Sequence, residues 1–118
     1  MLRVGVVGLG MMGQHHARVY SELPCQLVGV IDADLEKAKA IGEKYGTRYY
    51  SDYTELISQV DAVSIAVPTT LHYQIAMDFI NYGVHCLVEK PIASNVEEAR
   101  KMIQAAEAKG IKLMVGHT

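Results

Sequence analysis

A short apolar run, Leu2 to Val7, feeds straight into Gly8-Leu9-Gly10-Met11-Met12-Gly13. An acidic residue, Asp32, follows 19 positions after the last of these glycines. A lone GxGxxG pattern carries little information. One that leaves a strand, opens a helix and precedes a second strand ending near an acid constrains the fold strongly. The first glycine allows a tight turn, the second lets backbone approach a diphosphate, and the third lets the helix pack against the strand. The free N–H groups and the dipole at the helix start then favour an anion. The pattern points to a dinucleotide-binding unit, with the backbone of Gly8, Gly10, Met11, Met12 and Gly13 around the diphosphate.

The rest of the chain alternates between two kinds of segment. Short runs rich in valine and isoleucine occur at residues 3–7, 26–31, 61–67, 84–88 and 111–115, with a shorter strand expected near 47–50. They do not alternate cleanly, as expected of strands buried on both faces of a parallel sheet. Helical signals lie between them. Asp34 is placed to cap a helix that sets Leu35, Ala38 and Ile41 on one side and stops at Gly46. Thr69 or Thr70 is placed to cap a helix carrying Leu71, Ile75 and Phe79 and ending at Gly83. Ser94-Asn95-Val96-Glu97 fits a capping box opening a helix with Val96, Ala99, Ile103 and Ala106 on one side, stopped by Gly110. A weak short helix is expected over 53–58. These elements predict a doubly wound α/β fold, six parallel strands in the order 3-2-1-4-5-6 with helices on both faces. Residues 1–118 read as one domain.

Composition narrows the classes. At 118 residues a chain can bury roughly 65–70% of its unfolded surface. The formal net charge is −2 and no lysine/arginine cluster occurs, which argues against nucleic acid as a partner. No apolar run approaches the roughly 20 residues of a membrane span, and no membrane partner is expected. Arg3 and the apolar run after it faintly imitate a signal peptide, but no small-residue cleavage site follows. Cys25 and Cys86 stand 61 positions apart and form no CxxC pair, so free thiols in a reducing cytoplasm are expected. Neighbouring His15 and His16 diverge around a helix and cannot share one metal, and nothing matches a zinc spacing, so no metal is expected.

Three positions carry candidate chemistry, each after a strand. Asp32 can accept hydrogen bonds from adenosine-ribose hydroxyls and would repel a 2′-phosphate, which predicts NAD in preference to NADP. Asp32 or Asp34 can instead cap the next helix, and the two roles can be split between them. Val67-Pro68-Thr69-Thr70-Leu71-His72 lies where open α/β sheets bind ligands, with Pro68 ending the strand. A capping threonine and a solvated histidine are the plain alternative there. Glu89-Lys90-Pro91 follows the fifth strand. A lysine directly after a buried run suits a cleft, where it can hydrogen-bond a substrate hydroxyl and move its proton. Glu89 can orient it. A surface loop lysine is the alternative.

This ordered set, GLGMMG, Asp32, PTTLH, EKP and a Gly-His pair after the sixth strand, resembles the Gfo/Idh/MocA family (glucose–fructose oxidoreductase, inositol dehydrogenase, rhizopine catabolism). The resemblance implies an N-terminal Rossmann domain for NAD or NADP in an enzyme that oxidises or reduces sugars, inositols and related compounds. It implies that Lys90 is the catalytic lysine approaching the nicotinamide and the reacting hydroxyl. It places Pro68, Thr69 and His72 along the cofactor cleft with Glu89 beside it, and allows a cis Lys90–Pro91 bond. It also implies a second α/β domain, outside this sequence, that supplies the sugar or cyclitol pocket, a catalytic histidine and homo-oligomer contacts. The fragment alone is then expected to bind cofactor without turnover. A regulatory or sensor module that binds NAD without redox chemistry is the alternative function. A methyltransferase fits less well, because of the second glycine step and the EKP segment.

Overall fold

The computed structural model describes residues 1–116; His117, the histidine of the Gly-His pair, lies outside the described residues with Thr118. Six strands, β1 (Arg3–Val7), β2 (Gln26–Ile31), β3 (Arg48–Tyr50), β4 (Ala62–Ile65), β5 (His85–Glu89) and β6 (Leu113–Gly116), alternate with four helices. The helices are α1 (Met11–Glu22), α2 (Leu35–Tyr45), α3 (His72–Asn81) and α4 (Val96–Lys109). The sheet order is β3-β2-β1-β4-β5-β6 and every pairing is parallel. This is the doubly wound order expected from the apolar runs.

Neighbouring residues of the central strands enter different cores, because successive side chains point to opposite faces. Val6 and Val30 pack with Leu9, Ala17, Ala38 and Ile41 under α1 and α2. Val7 and Ile31 turn the other way, into the core of Phe79, Ile80, Met102 and Ala106 beneath α3 and α4. That is why these strands read as unbroken apolar runs.

The sequence-derived helices need three corrections. Residues 53–58 form a 3-10 turn at Tyr53–Glu55 followed by turns. From this crossover Leu56, fully buried, drops into a notch above Gly5 of β1 and Gly29 of β2. A leucine over two glycines covers a face that a helix would otherwise cover. Second, neither Thr69 nor Thr70 caps α3 with its side chain; a 3-10 turn at Thr69–Leu71 leads into the helix instead. Third, α4 is capped by Asn95, whose side chain accepts from the Glu98 N–H, one position later than the Ser94 box. Its buried side runs through Met102 and Ala106, while Val96 and Ile103 are exposed. Ala99 and Ala106 belong to both helical stripes, and packing against α3 selects Met102 over Ile103.

Asp34 caps α2, accepting from the N–H groups of Glu36 and Lys37, and Gly46 ends it in the left-handed region at φ 66°. Cys25 and Cys86 are free thiols, and burial pushes the Cys86 thiol up to about 12. Among the described residues no helix is long and apolar enough to cross a membrane.

Phe79 joins α3 to β4 and β5 with no exposed surface. Phe79→Ala is expected to lower unfolding free energy by about 3–5 kcal/mol, measured by urea denaturation.

Candidate functional site

The carboxyl ends of β1, β2, β4 and β5 bring the expected site segments to one edge of the sheet. The glycine turn is built by two close approaches. Gly8 has φ 94°, where side chains are strained, and its Cα faces the Ala66 carbonyl after β4. A Cβ on Gly13 would collide with the Gly8 carbonyl, so α1 lies directly on the turn. Gly10 differs: nothing lies within 4 Å of where its Cβ would be. It borders open space, with Met11 exposed beside it and Met12 half-buried.

The start of α1 is left open. Among the described residues no side chain caps it, and its first turn holds no acid. By contrast α2 and α4 have Asp34 and Asn95 caps and acidic first turns. The unpaired N–H groups and positive dipole end of α1 therefore point into the crevice, an arrangement that fits an anion.

Asp32 stands at the head of β2. Its Oδ2 accepts from the Leu9 N–H at 2.8 Å, and its Oδ1 accepts from the Asp34 N–H at 2.9 Å. Helix capping thus falls to Asp34, while Asp32 ties β2 to the glycine turn and keeps lone pairs toward the crevice. A cavity of about 460 Å³ opens here, lined by Gly10, Asp32, Ala33, Tyr53, Pro68 and Leu71. Tyr53 was not foreseen as a site residue. Its hydroxyl donates to Asp78 of α3, and its ring lies 5.9 Å from that of Phe79. Burial first, then that hydrogen bond, pushes the phenol up to about 12, so it stays neutral.

His72 is neither solvated nor open to the crevice. It is buried in the first turn of α3. Its Nε2 lies 2.9 Å from the Val67 carbonyl oxygen, and its Nδ1 lies 3.1 Å from that of Pro91. The ring therefore braces the loop after β4 against the loop after β5. Thr69 is half-buried and Pro68 exposed. Lys90 is exposed at the end of β5, and the Lys90–Pro91 peptide is cis.

Glu89 points away from the loop toward α1. Its Oε1 lies 3.0 Å from the His16 Nε2, both side chains being largely buried. Sequence spacing gave no sign of this pair. Desolvation lowers the His16 pKa below 6.5, with Glu89 opposing the shift and His15 adding to it. Its Nδ1 is buried and, among the described residues, has no partner. A neutral ring that donates Nε2–H to the carboxylate fits both observations.

Residues 2–117 match the family model described as "Oxidoreductase family, NAD-binding Rossmann fold". The chain belongs to the Gfo/Idh/MocA family. It is 38% identical over 116 residues to a UDP-N-acetylglucosamine 3-dehydrogenase of Acidithiobacillus ferrooxidans, covering 98% of this chain and 37% of that protein. The solved structure of that enzyme superposes with a TM-score of 0.94 at 37% identity over 98% of this chain and 38% of its own. The scyllo-inositol 2-dehydrogenase (NADP(+)) IolU of Bacillus subtilis is 35% identical over 97% of this chain and 36% of its own length. GenD2 from gentamicin A biosynthesis, solved in complex with NAD, gives a TM-score of 0.94 at 34% identity, over 98% of this chain and 34% of its own. The chain therefore spans a little over a third of the length of the curated relatives it matches. It is the NAD-binding Rossmann domain of this family.

Gly13→Ala is expected to destabilise the fold by about 3 kcal/mol, as overpacking against backbone does. Gly10→Ala is expected to stay within about 1 kcal/mol of the parent, yet to lose dinucleotide binding. Thermal melting and a binding titration on both variants separate the two roles. A histidine with a lowered folded pKa, such as His16, binds its proton more tightly when unfolded. Its contribution is then complete above pH 6.5 and lost as pH falls through the lowered value. The melting temperature is expected to fall as pH drops below about 6.5, and less steeply in His16→Gln.

Proposed function

We propose that this chain is the cofactor-binding part of an oxidoreductase acting on a hydroxyl or carbonyl carbon of a sugar, inositol or related compound. The observation that carries the reading is the uncapped start of α1 beside open Gly10, with the Asp32 carboxylate at the same edge. These residues fit a dinucleotide. The N–H groups of Gly10, Met11 and Met12 would hold the diphosphate, and Asp32 the adenosine ribose. Ala33, Tyr53, Leu71 and Ile75 offer an apolar slot for the adenine. When bound, the nicotinamide supplies hydride exchange with the substrate carbon.

The chain's own contribution beyond binding is a proton. Lys90 follows Glu89 at the end of β5, on the sheet edge where ligands of open α/β sheets sit. Its amine would take up the proton of a hydroxyl as that carbon is oxidised, and its ammonium would return one to a carbonyl oxygen as that carbon is reduced. Pro68 and Thr69 would border the nicotinamide side. His72 acts here by holding the Val67 and Pro91 loops together. The relatives named above act on a nucleotide sugar and an inositol, which supports this substrate class. A second domain would supply the substrate pocket and the homo-oligomer contacts, so this chain alone would bind cofactor without turnover. The free thiols suit a cytoplasmic setting.

NAD is the preferred cofactor in this reading. The Asp32 carboxylate would stand against a 2′-phosphate, and Ala33 offers it no cation. Calorimetric titration is expected to give NAD+ a dissociation constant about tenfold below that of NADP+, as a like-charge clash produces. Tighter NADP+ binding would overturn the preference. Lys90→Ala, at an exposed position, is expected to keep NAD+ binding and melting temperature while abolishing turnover in a longer form of the protein. Retained turnover would refute the proton role.

A further inference from the structure

Glu89 is the last residue of β5 and Lys90 the first beyond it. The proton-handling reading concerns Lys90 alone and leaves the neighbouring carboxylate unexplained. That carboxylate is largely shielded from solvent. Its Oε1 meets His16 Nε2 at 3.0 Å, and its Oε2 lies over Gly116 of β6, 3.7 Å from where a Cβ would stand. His16 sits one helical turn after Gly13, on the helix whose start would hold the diphosphate. On the same flank Met12, His16, Val19, Tyr20 and Leu87 line a hollow of about 340 Å³ between α1 and β5. In the dinucleotide reading the adenosine would lie at the end of β2 and the diphosphate at the end of β1. The order β2-β1-β4-β5 then directs the other end of a dinucleotide toward β4 and β5, past this hollow.

We propose that His16 is a positioning residue: by holding the Glu89 carboxylate it fixes the Glu89–Lys90 strand end against the first turns of α1, and so sets the nicotinamide side of the crevice. This rests on the dinucleotide reading above. The alternative is that the pair merely stabilises the packing of α1 on the sheet. The two differ in what they do to the halves of the ligand. A packing role affects the whole diphosphate site, whereas a positioning role affects the nicotinamide end.

NAD+ and ADP-ribose separate them, since ADP-ribose keeps the adenosine and diphosphate and lacks the nicotinamide. Titrations of the 118-residue chain are read as the ratio of the two dissociation constants. His16→Ala is expected to weaken NAD+ binding about fivefold, within the range of one hydrogen bond, and to leave ADP-ribose within about twofold. Glu89→Ala is expected to do the same, and the double variant no more, because both remove one interaction. His16→Gln keeps an N–H that reaches the carboxylate and is expected to recover most of the NAD+ affinity. It also carries the test if His16→Ala fails to fold. Equal loss for both ligands, additive losses in the double variant, or unchanged NAD+ affinity would each overturn the positioning role. A parent chain that binds neither ligand would overturn the dinucleotide reading itself, an outcome distinct from those three.

Discussion

The contact between Gly13 and the Gly8 carbonyl is the constraint on which the rest of this edge depends. Without a Cβ at residue 13, α1 begins directly on the end of β1. Its unpaired N–H groups then emerge level with the carboxyl ends of the neighbouring strands. A helix pushed outward by even one methyl group would carry those donors away from the crevice. The Asp32 bond to the Leu9 N–H acts on the same turn from the other side. It uses one donor of the glycine loop for structure and leaves those of the helix start for an anion. Turn, helix and second strand are therefore one mechanical unit, held at two points.

Much of this fold could be read from the chain because its strands are buried on both faces. β1 and β2 occupy the spans that their valine and isoleucine runs mark, since every residue after Arg3 and Gln26 is buried or half-buried. Helix stops were legible where glycine takes positive φ, at Gly46 and Gly110. The helix faces were less so. In α4 two stripes share Ala99 and Ala106, and only contact with α3 decides that Met102 turns inward. The crossover to β4 was harder still. Leu56 fills its notch because Gly5 and Gly29 lie beneath it in three dimensions, a relation with no local period.

At the site, the residues that local chemistry demands were visible and those recruited across the fold were not. Glycines at fixed spacing and an acid after the second strand announce themselves. His72 looks like a first-turn histidine near a cleft, and its spacing says nothing of the Pro91 carbonyl 19 positions away. His16 looks like one of two neighbouring histidines that diverge around a helix. Its partner, Glu89, comes from the far side of the central strands. In both cases a ring nitrogen meets an oxygen supplied by another loop or strand, and only the sheet order brings them together.

These contacts share a design with the Asp32 bond. Asp32 joins β2 to the turn after β1, His72 joins the loop after β4 to that after β5, and His16 joins α1 to the end of β5. Each runs from a side chain to a neighbouring element at the carboxyl edge of the sheet. Apolar packing cannot do this work at the edge, because a crevice that admits a ligand has no core beneath its rim. Polar braces fix the walls while leaving the space between them open. Binding then requires little reordering of loops, and the entropy that would otherwise oppose it has already been lost in folding. The same logic explains why the braces lie partly buried. Shielded from water, each hydrogen bond holds its loop more firmly than an exposed one would.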